Sequence, residues 1–318
     1  MTAQGDDDPQ GDPPVPRAIA GGEGLRRALS WGVIIACVAV IVYPHGEPAH
    51  REPLPHLLLA ICVFACLLAA AGGPFLSHLV ARARKGTLNP AYAPALAGDA
   101  PRIAYLEGFA IYLLGFILLS LAVARWSTGS LGAAWWCFAI VPVALLSIAC
   151  RPGAVWSDVR AAIGWHRGRG FAREIGAGLF GYVAGMPVLA ATFIVTGALA
   201  SVWGMPTHPI FEHTGFRSHA LTLYLLACVG APLVEETMFR GVLFHYLRRG
   251  HGRFASALLS ALLFAAIHPQ GIVALPVLTG MALVFAGIRE WRGSLIASMS
   301  AHALNNGVVL SLAMSQGR

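Results

Sequence analysis

The chain has 318 residues, of which 57% are hydrophobic and only 12% charged, with a formal net charge of +7. A soluble globular domain carries about 25% charged residues and does not repeat apolar runs of some twenty residues, so the composition excludes a water-soluble fold. Basic residues do not cluster with aromatics in any polar segment, so the positive charge reads as membrane topology, and no nucleic-acid partner is expected. These properties describe an all-α, polytopic transmembrane helical bundle with the lipid bilayer as its surroundings, at the cell membrane.

Residues 1–24, MTAQGDDDPQGDPPVPRAIAGGEG, are rich in Asp, Pro and Gly and are predicted to form a disordered tail. Their early charges are acidic, unlike those of a cleaved signal peptide. Residues 25–218 are predicted to hold the amino-terminal transmembrane helices, with spans near 28–43, 56–80, 103–124, 131–149 and 175–203. Residues 156–173, WSDVRAAIGWHRGRGFAR, mix Trp, Phe and Arg as a membrane interface does, and no binding role is expected for His166 there. The same holds for His208 and for Glu212 and His213 in the next loop. A central span at 221–247 is followed by apolar segments at 254–268, 272–288 and 294–314, which together form a domain at 219–314. The predicted total is eight to nine spans. Segment 254–268 is short for a crossing and ends at Pro269, Gln270 and Gly271, so it could instead form a hairpin with its successor at membrane depth.

Basic residues alternate along these segments. Clusters at Arg17, Arg26 and Arg27, at Arg82, Arg84, Lys85 and Arg102, between Arg151 and Arg173, at Arg248, Arg249 and Arg253, and at Arg289 and Arg292 are separated by segments holding a single Arg or none. Since cytoplasmic loops hold the excess of Lys and Arg, the amino terminus is expected in the cytoplasm and the carboxyl terminus outside. The six cysteines lie in or beside apolar runs without C-x-x-C spacing, and are expected to act as small buried hydrophobes.

The central span, LTLYLLACVGAPLVEETMFRGVLFHYL, contains Glu235, Glu236 and Arg240. Each ionised group at the centre of a span costs about 2.5 to 3.5 kcal/mol on insertion scales, so these three must pair, face water or do chemistry. Glu236 and Arg240, at i and i+4, can pair along one helix face. Glu235 points about 100° away in an ideal helix and is not explained by that pair. The next spans add His268, then His302 with Asn305 and Asn306, where His302 and Asn306 share a face. Each His alone is as readily a packing residue. Together, two carboxylates, two imidazoles and a carboxamide supply a base, a second proton donor or acceptor, and neutral donors for a developing oxyanion.

Glu235-Glu236-x-x-x-Arg240, Phe264-x-x-x-His268 and His302-x-x-x-Asn306, in that order on successive apolar segments, resemble the CAAX-protease and bacteriocin-processing family of intramembrane endopeptidases, which includes the CAAX prenyl protease type 2. The resemblance covers residues 219–313. It implies peptide-bond hydrolysis in which Glu235 and His268 activate a water, His302 and Asn306 hold the oxyanion, and Glu236 and Arg240 brace the site. Such a site could be metal-free, with Glu235 taking a proton from water, or could hold zinc on Glu235, His268 and His302, although the H-E-x-x-H helix of zinc proteases is absent. The metal-free form is preferred. The implied substrate is a peptide or membrane protein, a prenylated one included, and the Ala-, Gly- and Arg-rich composition favours a bacterial peptide, a bacteriocin leader or a membrane protein. Two other classes compete: a proton-coupled transporter using the Glu pair as a relay, and a non-catalytic membrane scaffold.

Overall fold

The computed structural model describes residues 17–42, 54–88, 90–92, 99–126, 138–204 and 219–315. Ten helices follow in order: α1 (Arg17–Val42), α2 (Leu54–Arg84), α3 (Arg102–Trp126), α4 (Ile140–Ala149), α5 (Trp156–Ala162), α6 (Phe171–Trp203), α7 (Ala220–Arg248), α8 (Arg253–Ala266), α9 (Gly271–Arg292) and α10 (Leu295–Ser315). No strand occurs among the described residues. Helix is the form that apolar runs take in lipid, because it satisfies every backbone N–H and C=O within the segment.

Among the described residues, six helices are long and apolar enough to cross a membrane: the 59–84 part of α2, the 102–123 part of α3, and α6, α7, α9 and α10. The expected count of eight to nine is not confirmed by these six. The fourth expected span, 131–149, is represented by the ten residues of α4, since 131–137 lie outside the described residues. Its neighbour in shortness, α8, has 14 residues and is roughly 21 Å long at 1.5 Å per residue, against a hydrocarbon core of about 30 Å. It packs along α9 as the first arm of a helical hairpin whose turn is at 267–270. The helix of α1 starts at Arg17, inside the expected tail of 1–24, and its first turns carry a Glu23–Arg27 pair at 3.5 Å. Residues 1–16 and the loop holding His208, Glu212 and His213 lie outside the described residues.

The hub of the bundle is α6, which packs against α2, α9 and α10. Gly178, Gly181 and Gly185 recur at three- and four-residue spacing and face Ala297, Ile288 and Val284. A Cβ at Gly178 would lie 2.1 Å from the Ala297 carbonyl oxygen, so α10 can come this close only to a residue without a side chain. Its other face meets α2, whose Gly72 lies under Val183 and Pro187. The cysteine expectation fails in part. Cys37 is buried and Cys228 half-buried, but Cys62, Cys66 and Cys150 are exposed on the bundle's outer surface, and Cys137 lies outside the described residues. A membrane accepts apolar side chains on the outside, so hydrophobicity there does not imply burial in protein.

One helix departs from regular geometry where the sequence concentrates its charges. In α7 the stretches Leu226–Gly230 and Glu236–Leu243 are π-helical. Pro232 has no N–H to offer the carbonyl four residues back, and the chain adopts the wider turn immediately before it. Such turns are rare and shift the register of everything beyond them.

Candidate active site

The second π stretch of α7 places Glu236 and Arg240 in the interior of the bundle, where α8, α9 and α10 supply their neighbours. Arg240 Nη1 lies 3.1 Å from Glu236 Oε1, off the angle of a true hydrogen bond, while Nη2 approaches the Ala282 carbonyl at 3.4 Å. The guanidinium lies over the rings of Phe264 and Phe285, at 4.4 and 5.3 Å from their centroids. A desolvated cation is held there by ring quadrupoles as well as by a carboxylate.

His302 of α10 stands between the two carboxylates. Its Nδ1 lies 3.0 Å from Glu236 Oε1 and its Nε2 lies 3.8 Å from Glu235 Oε2, while its ring stacks on Phe285 at 4.9 Å. With the Nδ1 proton donated to Glu236, Nε2 presents a lone pair towards Glu235, at a separation suited to a linking water rather than a direct bond. The carboxylates that an ideal helix would point about 100° apart thus address one imidazole. Their exposure separates them: the Glu235 side chain keeps 25% of its surface accessible and that of Glu236 keeps 0%. Among the described residues no donor reaches Glu235 Oε2.

His268 follows the end of α8, where its Nδ1 lies 2.6 Å from the Phe264 carbonyl and its ring packs on Phe264 at 4.2 Å. Donation to that carbonyl puts the ring proton on Nδ1 and makes Nε2 the basic nitrogen. Phe264 is the common neighbour of His268, Arg240 and His302. Asn306, one turn beyond His302, donates from Nδ2 to the Ala227 carbonyl at 2.8 Å, inside the first π stretch. Its Oδ1 accepts from Asn305, whose own oxygen accepts from Tyr182 at 3.0 Å. That chain fixes the amide orientation, and the second Nδ2 proton remains available to a substrate oxygen.

Glu235, Glu236, Arg240 and His302 are therefore brought into one cluster, with His268 and Asn306 half-buried beside it. Among the described residues no group of three His, Cys, Asp or Glu side chains stands where it could hold a metal ion, the set of Glu235, His268 and His302 included, and both imidazoles direct Nδ1 to protein acceptors.

Three supports escaped sequence reasoning. Trp165, in the loop after α5, donates from Nε1 to Thr237 Oγ1 at 3.0 Å, and Thr237 in turn donates to the Leu233 carbonyl at 2.6 Å, tying that loop to the turn that carries Glu236. Arg289 of α9 donates to the Arg240 carbonyl at 3.3 Å. Near the end of α7, buried His245 lies between Tyr92 at 2.8 Å and Asp99 at 2.8 Å, and Asp99 also accepts from Tyr105 and from Arg249 at 3.2 Å. Burial pushes the Asp99 carboxyl up, but its bonds to His245, Tyr105 and Arg249 outweigh this and hold it below the usual carboxylate range. A carboxylate with a depressed folded pKa stabilises above its unfolded value of about 3.9, and that contribution is lost as pH falls through the folded value. Melting temperature in detergent between pH 6 and pH 3 is thus expected to fall more steeply for the parent than for Asp99→Asn. Parallel curves would show that Asp99 contributes nothing to the acid limit.

Residues 216–308 match the family model described as type II CAAX prenyl endopeptidase, Rce1-like. No curated protein and no solved structure matches the chain. The match spans α7 to α10 and contains every member of the cluster, so in this segment the chain is similar to the type II CAAX prenyl endopeptidases.

Proposed function

We propose that the chain is an intramembrane endopeptidase that hydrolyses a peptide bond of a membrane-associated peptide or protein without a metal. The observation that carries this reading is the inequality of the two adjacent carboxylates: Glu235 is partly accessible, whereas Glu236 is sealed against Arg240 and His302. Glu235, with the half-buried His268 as the second basic group, takes a proton from water as the water oxygen bonds to the scissile carbonyl carbon. The carbonyl oxygen becomes an oxyanion facing the Asn306 amide, and the proton passes to the departing amine as the C–N bond breaks. The geometry favours one change in the expected roles. His302 addresses Glu235 and Glu236 through its two nitrogens, which suits orientation of the base better than direct contact with the oxyanion.

Incubating the purified protein in detergent with a labelled peptide library, with and without a chelator, tests the reading. Cleavage that survives the chelator is the expected outcome. Cleavage abolished by chelator and restored by zinc would return the site to metal chemistry, and solute flux coupled to a pH gradient without cleavage would replace the protease by a transporter. The basic ends of α2, α7 and α9 and the basic loop before α6 support an amino terminus in the cytoplasm. A reporter active only outside the cytoplasm, fused after Arg318, is expected to be active, and silence there with activity near Arg84 would reverse the orientation.

A further inference from the structure

Arg289 is a buried cation that lies over the Tyr92 ring at 4.9 Å and has no carboxylate partner among the described residues. It is 1% exposed in the last turn of α9, and its Nε, Nη2 and Nη1 donate to the carbonyls of Arg240 at 3.3 Å, Ala162 at 2.9 Å and Gly293. A guanidinium has five N–H groups, so one on each terminal nitrogen is left after these three bonds. All three acceptors are neutral, and among the described residues no carboxylate pairs with Arg289: the adjacent Glu290 is held by Arg248 at 3.0 Å. A buried charge without a counter-charge is costly unless something completes the site.

Beside this guanidinium lies a cavity of about 190 Å³, lined also by Ala91, Tyr92, Ala161, His166 and Gly293. A single water needs roughly 10 to 15 Å³ by this measure, so the space admits a polyatomic group. The His166 Nδ1 accepts the Gly168 N–H at 3.1 Å, which puts the ring proton on Nε2, where it is shared with the Gly293 backbone at the cavity wall. The surroundings indicate the source of an anion. Arg160, Arg167, Arg169 and Arg173 are exposed on α5, the following loop and the first turn of α6, and Trp156, Trp165 and Phe171 are exposed between them. Exposed rings mixed with cations occur at the level of lipid headgroups.

We propose that this cavity binds a phosphate group, supplied by the headgroup of an anionic phospholipid, with Arg289 as its buried counter-charge. The site is separate from the hydrolytic cluster but joined to it by the Arg289 bond to the Arg240 carbonyl.

Native mass spectrometry of the purified full chain, titrated with phosphatidylglycerol, phosphatidylcholine or inorganic phosphate, tests this by binding alone. Phosphatidylglycerol is expected to bind at least roughly tenfold more tightly than phosphatidylcholine, whose choline ammonium offsets its phosphate charge and is repelled by the Arg rim. Arg289→Met is expected to remove that preference. Because that variant also loses three structural bonds, Ala161→Phe, which fills the cavity and leaves Arg289 in place, is the second test and is expected to lose at least roughly tenfold in affinity. Competition by inorganic phosphate would identify phosphate as the recognised group. Phosphate binding sensitive to Ala161→Phe, with no retention of phosphatidylglycerol, would assign the cavity to a soluble ligand and overturn the lipid source. Equal phosphatidylglycerol binding by the parent and both variants would overturn the site altogether.

Discussion

Glu235→Gln is expected to lower turnover of a cleavable peptide by about 10² to 10⁴, the range for removal of a positioned acid–base group, with normal insertion in the membrane. The amide keeps the shape and the hydrogen-bonding capacity of the carboxylate but cannot take a proton from water. The fold has little reason to fail, since Glu235 is the partly accessible member of its pair and no ion pair of Arg240 depends on it. His268→Ala is expected to fall in the same range, because the Nδ1 bond to the Phe264 carbonyl leaves Nε2 as the basic atom of the ring. Turnover measured on purified variants of matched abundance checks both. Retained activity in Glu235→Gln would remove Glu235 from the role of base. His302→Gln distinguishes further: loss of turnover together with a displaced pH profile would support a partner of Glu235, whereas loss with an unchanged profile would support the oxyanion contact.

Sequence reasoning reached the helices and the paired charges for a simple reason. Apolar runs of membrane length have one stable backbone form in lipid, and the i, i+4 spacing of Glu236 and Arg240 is a local property of that form. It also reached His268, His302 and Asn306, since polar groups are conspicuous in apolar spans. What it missed depends on tertiary context. A π turn has no residue signature comparable to a cap or a proline, so the convergence of Glu235 and Glu236 on His302 could not be derived from α-helical angles. His245 was visible as a further intramembrane histidine, and Asp99 as one of the few acids between spans, but they are separated by 146 positions and nothing local joins them. Trp165 was read as an interfacial aromatic, which its exposure supports, yet its indole N–H also holds the loop to Thr237. A residue with an apolar body and a polar edge can serve both ends, and only the fold shows the second.

Arg240→Ala and Asn306→Ala are expected to separate support from chemistry. Glu236 is sealed from solvent and faces Arg240 and His302, so removal of the guanidinium leaves a buried carboxylate with only the imidazole and the Ser298 hydroxyl as partners and no permanent counter-charge. Breaking one partner of a buried ion pair costs about 3 to 5 kcal/mol. The space vacated between Phe264 and Phe285 adds to the loss, because those rings pack on the guanidinium itself. Arg240→Ala should therefore lower abundance and melting temperature along with activity. Asn306→Ala removes the bonds to the Ala227 carbonyl and from Asn305, and with them the amide proposed to face the oxyanion, leaving the ion pairs intact. It is expected to lower turnover by about 10² to 10³, the loss typical of one oxyanion donor, while the melting temperature changes little. Melting temperature and turnover measured side by side in detergent decide between the two roles. An Arg240→Ala protein as stable as the parent yet inactive would mean that the guanidinium contacts substrate, and an Asn306→Ala protein that is unstable would mean that the bond to the π turn, rather than an oxyanion, is what the amide serves.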